Sequence, residues 1–273
     1  MPKACVNAIR LHYEVYGRGE PLLLIMGLGA STLGWQNQIP FFSQHLRVIA
    51  YDNRGAGRSE RPEGEYTTAL LADDAAALLD YLSIPSAHVY GVSMGGMIAQ
   101  ELALRHPQKV RTLALGATSP CPAAFPPPQQ IARELVEASR LPAEQAFEMT
   151  SYHGYRDAYF QANREELWMR AKAEKALQPP PEAWDRQYGA AVRHDTRSRL
   201  GEIKAPTLVI TGEEDPLIVP ENARYLAEHI PGTELVVLKG ARHAFNVEFE
   251  EESNLIVLDF ILRHSPGAEV GEH

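Results

Sequence analysis

A chain of 273 residues with 45% hydrophobic residues is long enough to bury a large core, as one big domain or one with a small insert. Its formal net charge of −9 argues against a nucleic-acid partner, because that affinity rests on clustered Lys and Arg. The longest apolar run, Leu22 to Met26, is far too short to span a bilayer, and Met1 to Arg10 has no apolar signal core, so a cytoplasmic protein with no membrane partner is expected.

Ala4 to Val6 and Ile9 to Tyr16 read as two short strands, the second alternating around Leu11, Tyr13 and Val15 as a half-exposed edge hairpin does. Leu22 to Met26 is continuous and apolar, which suits a strand buried on both faces. The loop Gly27-Leu28-Gly29-Ala30-Ser31 follows, then a helix expected over Trp35 to His45 and a buried strand over Arg47 to Tyr51. Asp52-Asn53-Arg54-Gly55-Ala56-Gly57-Arg58-Ser59 is dense in turn formers. Its two arginines have no strand–Gly-loop–helix of nucleotide-binding type around them, so a structural loop is expected. Thr68 to Leu82 is amphipathic, with Leu70, Leu71, Ala75, Leu78, Leu79 and Leu82 on one side, and Pro85 ends it. Ala87 to Tyr90 and Val110 to Leu115 are further strands, separated by a helix carrying Met97, Ile98, Leu102 and Leu104. Strands alternating with helices at this spacing imply a mainly parallel sheet with helices on both faces.

The alternation breaks at Pro120, Pro122 and Pro126-Pro127-Pro128, which neither a helix nor a central strand accepts. From Ile131 to about Arg199 the pattern is helical throughout, and Pro142 and Pro179-Pro180-Pro181 divide it into about four short helices. The expected organisation is a core of residues 1–119 and 200–266, a helical cap inserted at 120–199, and a loose tail at 267–273. Most cap aromatics should form its own core; Tyr152, Trp168 and Trp184 are the candidates for lining a pocket beneath it. Alternation resumes with a strand over Thr207 to Thr211, a helix from about Pro220 to Ile230, a strand over Leu235 to Leu238 and a last helix ending near His264. Cys5 and Cys121 are distant from one another and are expected to be free thiols.

Chemistry concentrates at Gly91-Val92-Ser93-Met94-Gly95, the Gly-x-Ser-x-Gly pattern of a nucleophile elbow, set directly between a strand and a helix. Such a reversal holds the serine in a sparsely populated conformation, and the glycines let strand and helix pack closely around it. A serine hydroxyl needs a base, and that base needs an orienting acid. In an open parallel sheet reacting groups gather beyond the carboxyl ends of the strands, so the loops after strands are where to look. The loop after Val110 to Leu115 has no Asp or Glu before Glu134. The loop after Thr207 to Thr211 holds Glu213, Glu214 and Asp215; Asp215 lies farthest into the loop, against Pro216. Of ten histidines, His243 alone follows a strand near the chain's end. The order Ser93, Asp215, His243 is the one this class of site uses. Oxyanion donors are expected at the backbone N–H groups of Met94 and Leu28. No histidine and carboxylate spacing resembles a zinc site, so no metal and no cofactor are expected.

With these residues in place the sequence resembles an α/β-hydrolase over nearly its whole length. It is similar to the capped group that holds esterases, 3-oxoadipate enol-lactonases, perhydrolase-type haloperoxidases and C–C bond hydrolases. The resemblance implies a mostly parallel central sheet flanked by helices, an inserted helical cap, and metal-free hydrolysis through an acyl-enzyme. The substrate expected is a small ester or lactone, cleaved by a carboxylesterase-like enzyme. Two alternatives stand beside it: enol-lactone or C–C hydrolysis by the same residues, and a ligand-binding protein that has lost turnover. The enol-lactone and C–C chemistries need a cation for a substrate carboxylate, with Arg156, Arg164 and Arg193 as candidates. Monomer and dimer are both open. Two departures from the group's pattern stand out: Met26 where many relatives carry His before the oxyanion glycine, and Arg242 where many carry Gly before the catalytic histidine.

Overall fold

The computed structural model describes residues 2–265, so the expected tail at 267–273 lies outside the described residues. Eight strands form one sheet in the order β1-β2-β4-β3-β5-β6-β7-β8. They are β1 (Lys3–Val6), β2 (Ile9–Tyr16), β3 (Pro21–Ile25), β4 (Arg47–Tyr51), β5 (Ala87–Val92), β6 (Val110–Gly116), β7 (Thr207–Gly212) and β8 (Glu234–Leu238). The first two pair antiparallel, as does β2 with β4, and every other pairing is parallel. The expected edge hairpin and buried parallel centre are thus both present.

The continuous apolar runs are explained by two-sided packing. Alternate residues of β3 point to opposite faces. Leu22 and Leu24 pack with Phe42, Tyr90, Phe260 and Ile261, while Leu23 and Ile25 pack with Leu71, Leu78, Ile98 and Leu102. On one face lie α2 (Thr68–Tyr81), α3 (Met94–Arg105) and α8 (Glu221–His229); on the other lie α1 (Gln38–Phe42) and α10 (Glu250–Arg263), the latter preceded by the single turn α9 (Phe245–Glu248). Burying each such leucine or phenylalanine contributes about 1.5–3 kcal/mol relative to exposure.

The helix expected over Trp35 to His45 is shorter. A 3-10 turn at Thr32–Trp35, capped by the Ser31 hydroxyl, precedes the five-residue α1. Pro40 accounts for the break, because it has no N–H to continue a helix begun at Trp35, whereas in the first turn of α1 that N–H is not needed. Among the described residues no helix is long and apolar enough to cross a membrane. Both cysteines are unbonded, Cys5 exposed and Cys121 buried.

Between β6 and β7 the chain makes four helices: α4 (Gln129–Ala138), α5 (Ala143–Gly154), α6 (Asp157–Leu177) and α7 (Pro181–Val192). Pro128, Pro142 and Pro180 each sit at an N-cap, so the prolines start helices here as much as they end them. The third helix is 21 residues long rather than short, with non-helical angles at Asn163 marking a kink. The two ends of this insertion are stapled together. Thr196 N–H donates to Pro120 O at 2.9 Å, the Thr196 hydroxyl donates to Gln100 Oε1 at 2.6 Å, and Gln100 Nε2 donates to Ser119 O at 3.1 Å. The Thr68 hydroxyl and His194 Nδ1, 2.9 Å apart, extend the same buried seam to α2.

Burial depresses the His194 imidazole to about 3. In the unfolded chain the ring takes a proton near pH 6.5. Between those values the unfolded state binds more protons, so this stabilisation is fully present above pH 6.5 and is lost as pH falls toward 3. At about 1.4 kcal/mol per unit, the expected loss is roughly 2 kcal/mol at pH 5. Urea unfolding of wild type and His194→Asn at pH 7 and pH 5 tests this. The variant should lose much less stability between the two pH values, and equal losses would contradict it.

Candidate functional site

The link between β5 and α3 places Ser93 at the N-cap with φ 58 and ψ −125, a left-handed conformation that is unusual for any residue but glycine. The surroundings hold it there. Ser93 N–H donates to Gly116 O at 2.9 Å, and its carbonyl accepts from the Thr118 hydroxyl at 2.7 Å and Gly96 N–H at 2.9 Å. The glycines are required by contact rather than by their own torsions. A Cβ on Gly91 would collide with the Gly95 carbonyl, and one on Gly95 with the carbonyls of Ile25 and Met26. Strand β3, strand β5 and helix α3 therefore meet at backbone distance. Gly27 completes the approach, since a Cβ there would sit 3.1 Å from Ser93 Cβ.

After β7, Asp215 is buried while Glu213 and Glu214 stay exposed. Its Oδ1 accepts from the N–H groups of Leu217 and Ile218, both at 2.9 Å. Its Oδ2 lies 2.8 Å from His243 Nδ1. Because a carboxylate only accepts, Nδ1 carries the proton and Nε2 is left as an acceptor. Ser93, Met94, Gly27, Leu28 and His243 all line one cavity of about 1110 Å³ beneath the insertion. Met94 opens α3, so its N–H has no partner within the helix.

Three other histidines are hydrogen-bonded elsewhere. His88 lies 2.9 Å from the Thr112 hydroxyl and 3.1 Å from Glu20. His229 and His264 donate from Nδ1 to the carbonyls of Tyr225 and Phe260, at the helix C-termini where they were expected. His153 is buried within α5.

The pocket candidates divide. Trp184 lines the cavity, stacked on Tyr188 with ring centroids 5.1 Å apart. Trp168 does not: it packs on Phe147 at 5.5 Å and faces an outer depression with Glu144 and Arg164. Tyr152 is 42% exposed and hydrogen-bonds Glu134. Helical periodicity turns both rings away from the site, which aromatic content alone does not reveal. The candidate cations are also elsewhere: Arg156 pairs with Glu248, Arg164 with Glu148, and Arg193 with Glu65. Arg170 is among the residues lining the cavity; it donates to Asn37 Oδ1 at 2.8 Å and lies 3.8 Å from Glu166.

Both departures have structural accounts. The Met26 side chain fills space left by Gly34, where a Cβ would come within 2.6 Å of Met26 Cε, and the Met26 carbonyl accepts from Asn53 Nδ2 at 2.8 Å. Arg242 ties the His243 loop to the end of α5, donating to the carbonyls of Tyr152 and Tyr155 at 2.8 Å each and to Asp157 at 3.0 Å. It thereby satisfies carbonyls that a helix C-terminus leaves open. The loop at residues 52–59 is structural, as expected. Arg54 forms a two-pronged buried pair with Asp74 at 2.6 and 2.8 Å. Asp52 accepts from Thr32 N–H at 2.6 Å and Arg58 N–H at 2.7 Å. Burial pushes the Asp52 carboxyl up, against the pull of those two N–H groups.

No local sequence pattern marks Arg170, Glu174 or Gln187, or the roles of Asp52 in this site. Only the position of Asp52 left a signal, as the first residue of a turn-rich loop after a buried strand.

Comparison with known proteins agrees with this architecture. Residues 20–250 match the family described as alpha/beta hydrolase fold. The chain is 32% identical to 3-oxoadipate enol-lactonase 2 of Acinetobacter baylyi over 248 residues, covering 90% of this chain and 91% of that one. It is 30% identical over 262 residues to a Stutzerimonas stutzeri protein named "Putative carbamate hydrolase RutD", covering 92% and 96%. The crystal structure of an enol-lactonase from Burkholderia xenovorans LB400 superimposes with a TM-score of 0.85 at 30% identity, over 95% of this chain and 99% of that one. A serine at the elbow of a mostly parallel eight-stranded sheet, with relatives of this kind over nine-tenths of its length, makes the chain a hydrolase belonging to the α/β-hydrolase fold family.

Proposed function

We propose that the protein is a cytoplasmic serine hydrolase that cleaves a small carboxylic ester or lactone through an acyl-enzyme. Ser93 Oγ attacks the substrate carbonyl carbon and gives its proton to His243 Nε2, while Asp215 holds the imidazole in the tautomer this requires. The N–H groups of Leu28 and Met94 receive the charge that develops on the carbonyl oxygen. Collapse of the tetrahedral intermediate breaks the bond to the leaving oxygen, which takes the proton from His243. A water molecule then adds to the acyl-serine with His243 again as base, and the carboxylic acid leaves. In this reading residues 120–199 act as a cap over the pocket. The observation that carries it is the 2.8 Å His243–Asp215 hydrogen bond on the wall of the cavity that Ser93 also lines.

A fluorophosphonate probe should label the protein stoichiometrically and fail to label Ser93→Ala. Asp215→Asn should fold normally yet lose several orders of magnitude in kcat; the equivalent change in a serine-protease triad costs about 10⁴. Labelling that survives the serine change would sink the assignment. Turnover of p-nitrophenyl esters of graded length, lactones and carbamates ranks the substrate classes. A labelled protein that turns over none of them is a ligand-binding member of the fold.

Enol-lactone or C–C hydrolysis by the same residues is a second reading, favoured by Arg170 on the cavity wall and by the enol-lactonase relatives. A charge-assisted hydrogen bond contributes about 1.5–3 kcal/mol. Arg170→Gln should therefore raise KM for a carboxylate-bearing lactone about tenfold or more and leave neutral esters within about twofold. A uniform change across both substrate types would count against a carboxylate subsite.

A further inference from the structure

The loop from Gly27 to Thr32 is poorly supported from within. Its one internal bond before the 3-10 turn is Ala30 N–H to Gly27 O, at 3.4 Å. Three of its other N–H groups reach outward. Gly29 N–H donates to Gln187 Oε1 at 2.9 Å. Ser31 N–H and the Ser31 hydroxyl both donate to Glu174 Oε2, at 3.2 and 3.0 Å. Thr32 N–H donates to Asp52 at 2.6 Å. Gln187 belongs to α7 and Glu174 to α6, so two of these three anchors come from the insertion, more than 140 residues along the chain.

Gln187 is fully buried, and its amide is used at both ends, with Nε2 donating to Arg54 O at 2.6 Å. That second bond fixes which way the amide faces, so Oε1 is presented to Gly29. Trp184, one turn earlier on α7, closes on the same point: a Cβ on Gly29 would sit 2.9 Å from Trp184 Cδ1. Gly29 has φ 70, a conformation that glycine adopts without cost. Helix α7 thus both shapes the loop and accepts its hydrogen bond. Burial raises the Glu174 carboxyl, and its Oε1 is buried with no hydrogen-bond partner among the described residues. A buried carboxyl kept at that cost points to a positional role, though the geometry stands without it.

We propose that Gln187 and Glu174 are positioning residues, which hold the Gly27–Thr32 loop so that the Leu28 N–H is aimed at the reacting carbonyl oxygen. This rests on the serine-hydrolase reading above. The insertion is on this account part of the oxyanion machinery and not only a cover for the pocket. If the Gly29 tether is lost, the freed N–H turns to find another acceptor, and the torsions of Leu28 turn with it. Oxyanion donors act over a narrow range, about 2.7–3.1 Å from the developing charge. A displacement of about 1 Å can lower the rate on the order of 10²-fold.

The test compares wild type with Gln187→Leu and Glu174→Ala. Four quantities are read: kcat and KM on a p-nitrophenyl ester, Ki for phenylboronic acid, which adds to the serine as a tetrahedral anion, and melting temperature. Gln187→Leu should lower kcat roughly 10- to 100-fold with KM within about threefold, and phenylboronic acid should weaken in proportion to kcat/KM. Glu174→Ala, which leaves the Gly29 tether in place, should give the same split at smaller size. It also carries the test if the buried Leu substitution does not fold. Folded variants that keep kcat and Ki within about threefold of wild type would overturn the proposal. So would a fall in kcat with Ki unmoved. Failure of the serine-hydrolase reading looks different: wild type itself would take no fluorophosphonate label and turn over no ester.

Discussion

One backbone conformation organises this molecule. Ser93 sits at φ 58, which costs an L-residue of order 1–3 kcal/mol and persists only where its surroundings over-determine it. They do so chiefly through backbone, with the Thr118 hydroxyl added on the Ser93 carbonyl. Gly91 and Gly95 bring strand and helix into contact, Gly95 touches the end of β3, and Gly116 O holds the Ser93 N–H. Three neighbouring central strands and one helix thus fix a single residue at the carboxyl edge of the sheet. The same close approach brings Gly27 beside Ser93, so the serine and the Gly27–Thr32 loop are set by one packing event.

The insertion is bound to that edge by polar contacts as well as by Ala190 and Ala191 of α7, which join the main apolar core. Its own core is modest, built around Phe147, Leu167 and Trp184, and much of its inner apolar surface faces the cavity. Its polar attachment comes from bonds that reach across the sequence: Thr196 to Pro120 and Gln100, Arg242 to the end of α5, Gln187 to Gly29 and Arg54. Directional bonds suit this task better than apolar burial, because they fix orientation as well as proximity. Where such groups are buried they are also costly to leave unpaired, so the arrangement resists small slips.

The loop at residues 52–59 plays the corresponding part in the core. Asp52 pins the start of the 3-10 turn at Thr32, Asn53 holds the Met26 carbonyl, and the Arg54–Asp74 pair anchors the loop to α2. Removing one member of so buried an ion pair typically costs about 3–5 kcal/mol, because the other charge is left without a partner. A stretch that superficially suggests anion binding is instead a brace.

The amino-acid sequence by itself determined the layered fold and three of the residues on which the functional reading depends. Continuous apolar runs specify strands buried on both faces, and their alternation with helices specifies the parallel sheet, because both signals are local and periodic. Ser93, Asp215 and His243 were legible since each follows a strand, and strand ends converge on one edge. Trp168, Tyr152, Arg156, Arg164 and Arg193 were placed by residue type alone, and the helices of the insertion turn them outward or pair them elsewhere. Gln187, Glu174 and Arg170 left no trace, because each acquires its role only by meeting residues more than a hundred positions away. Local pattern reports which element a residue belongs to, whereas the direction a side chain takes from a packed helix is decided by the packing itself, and only the tertiary structure contains that.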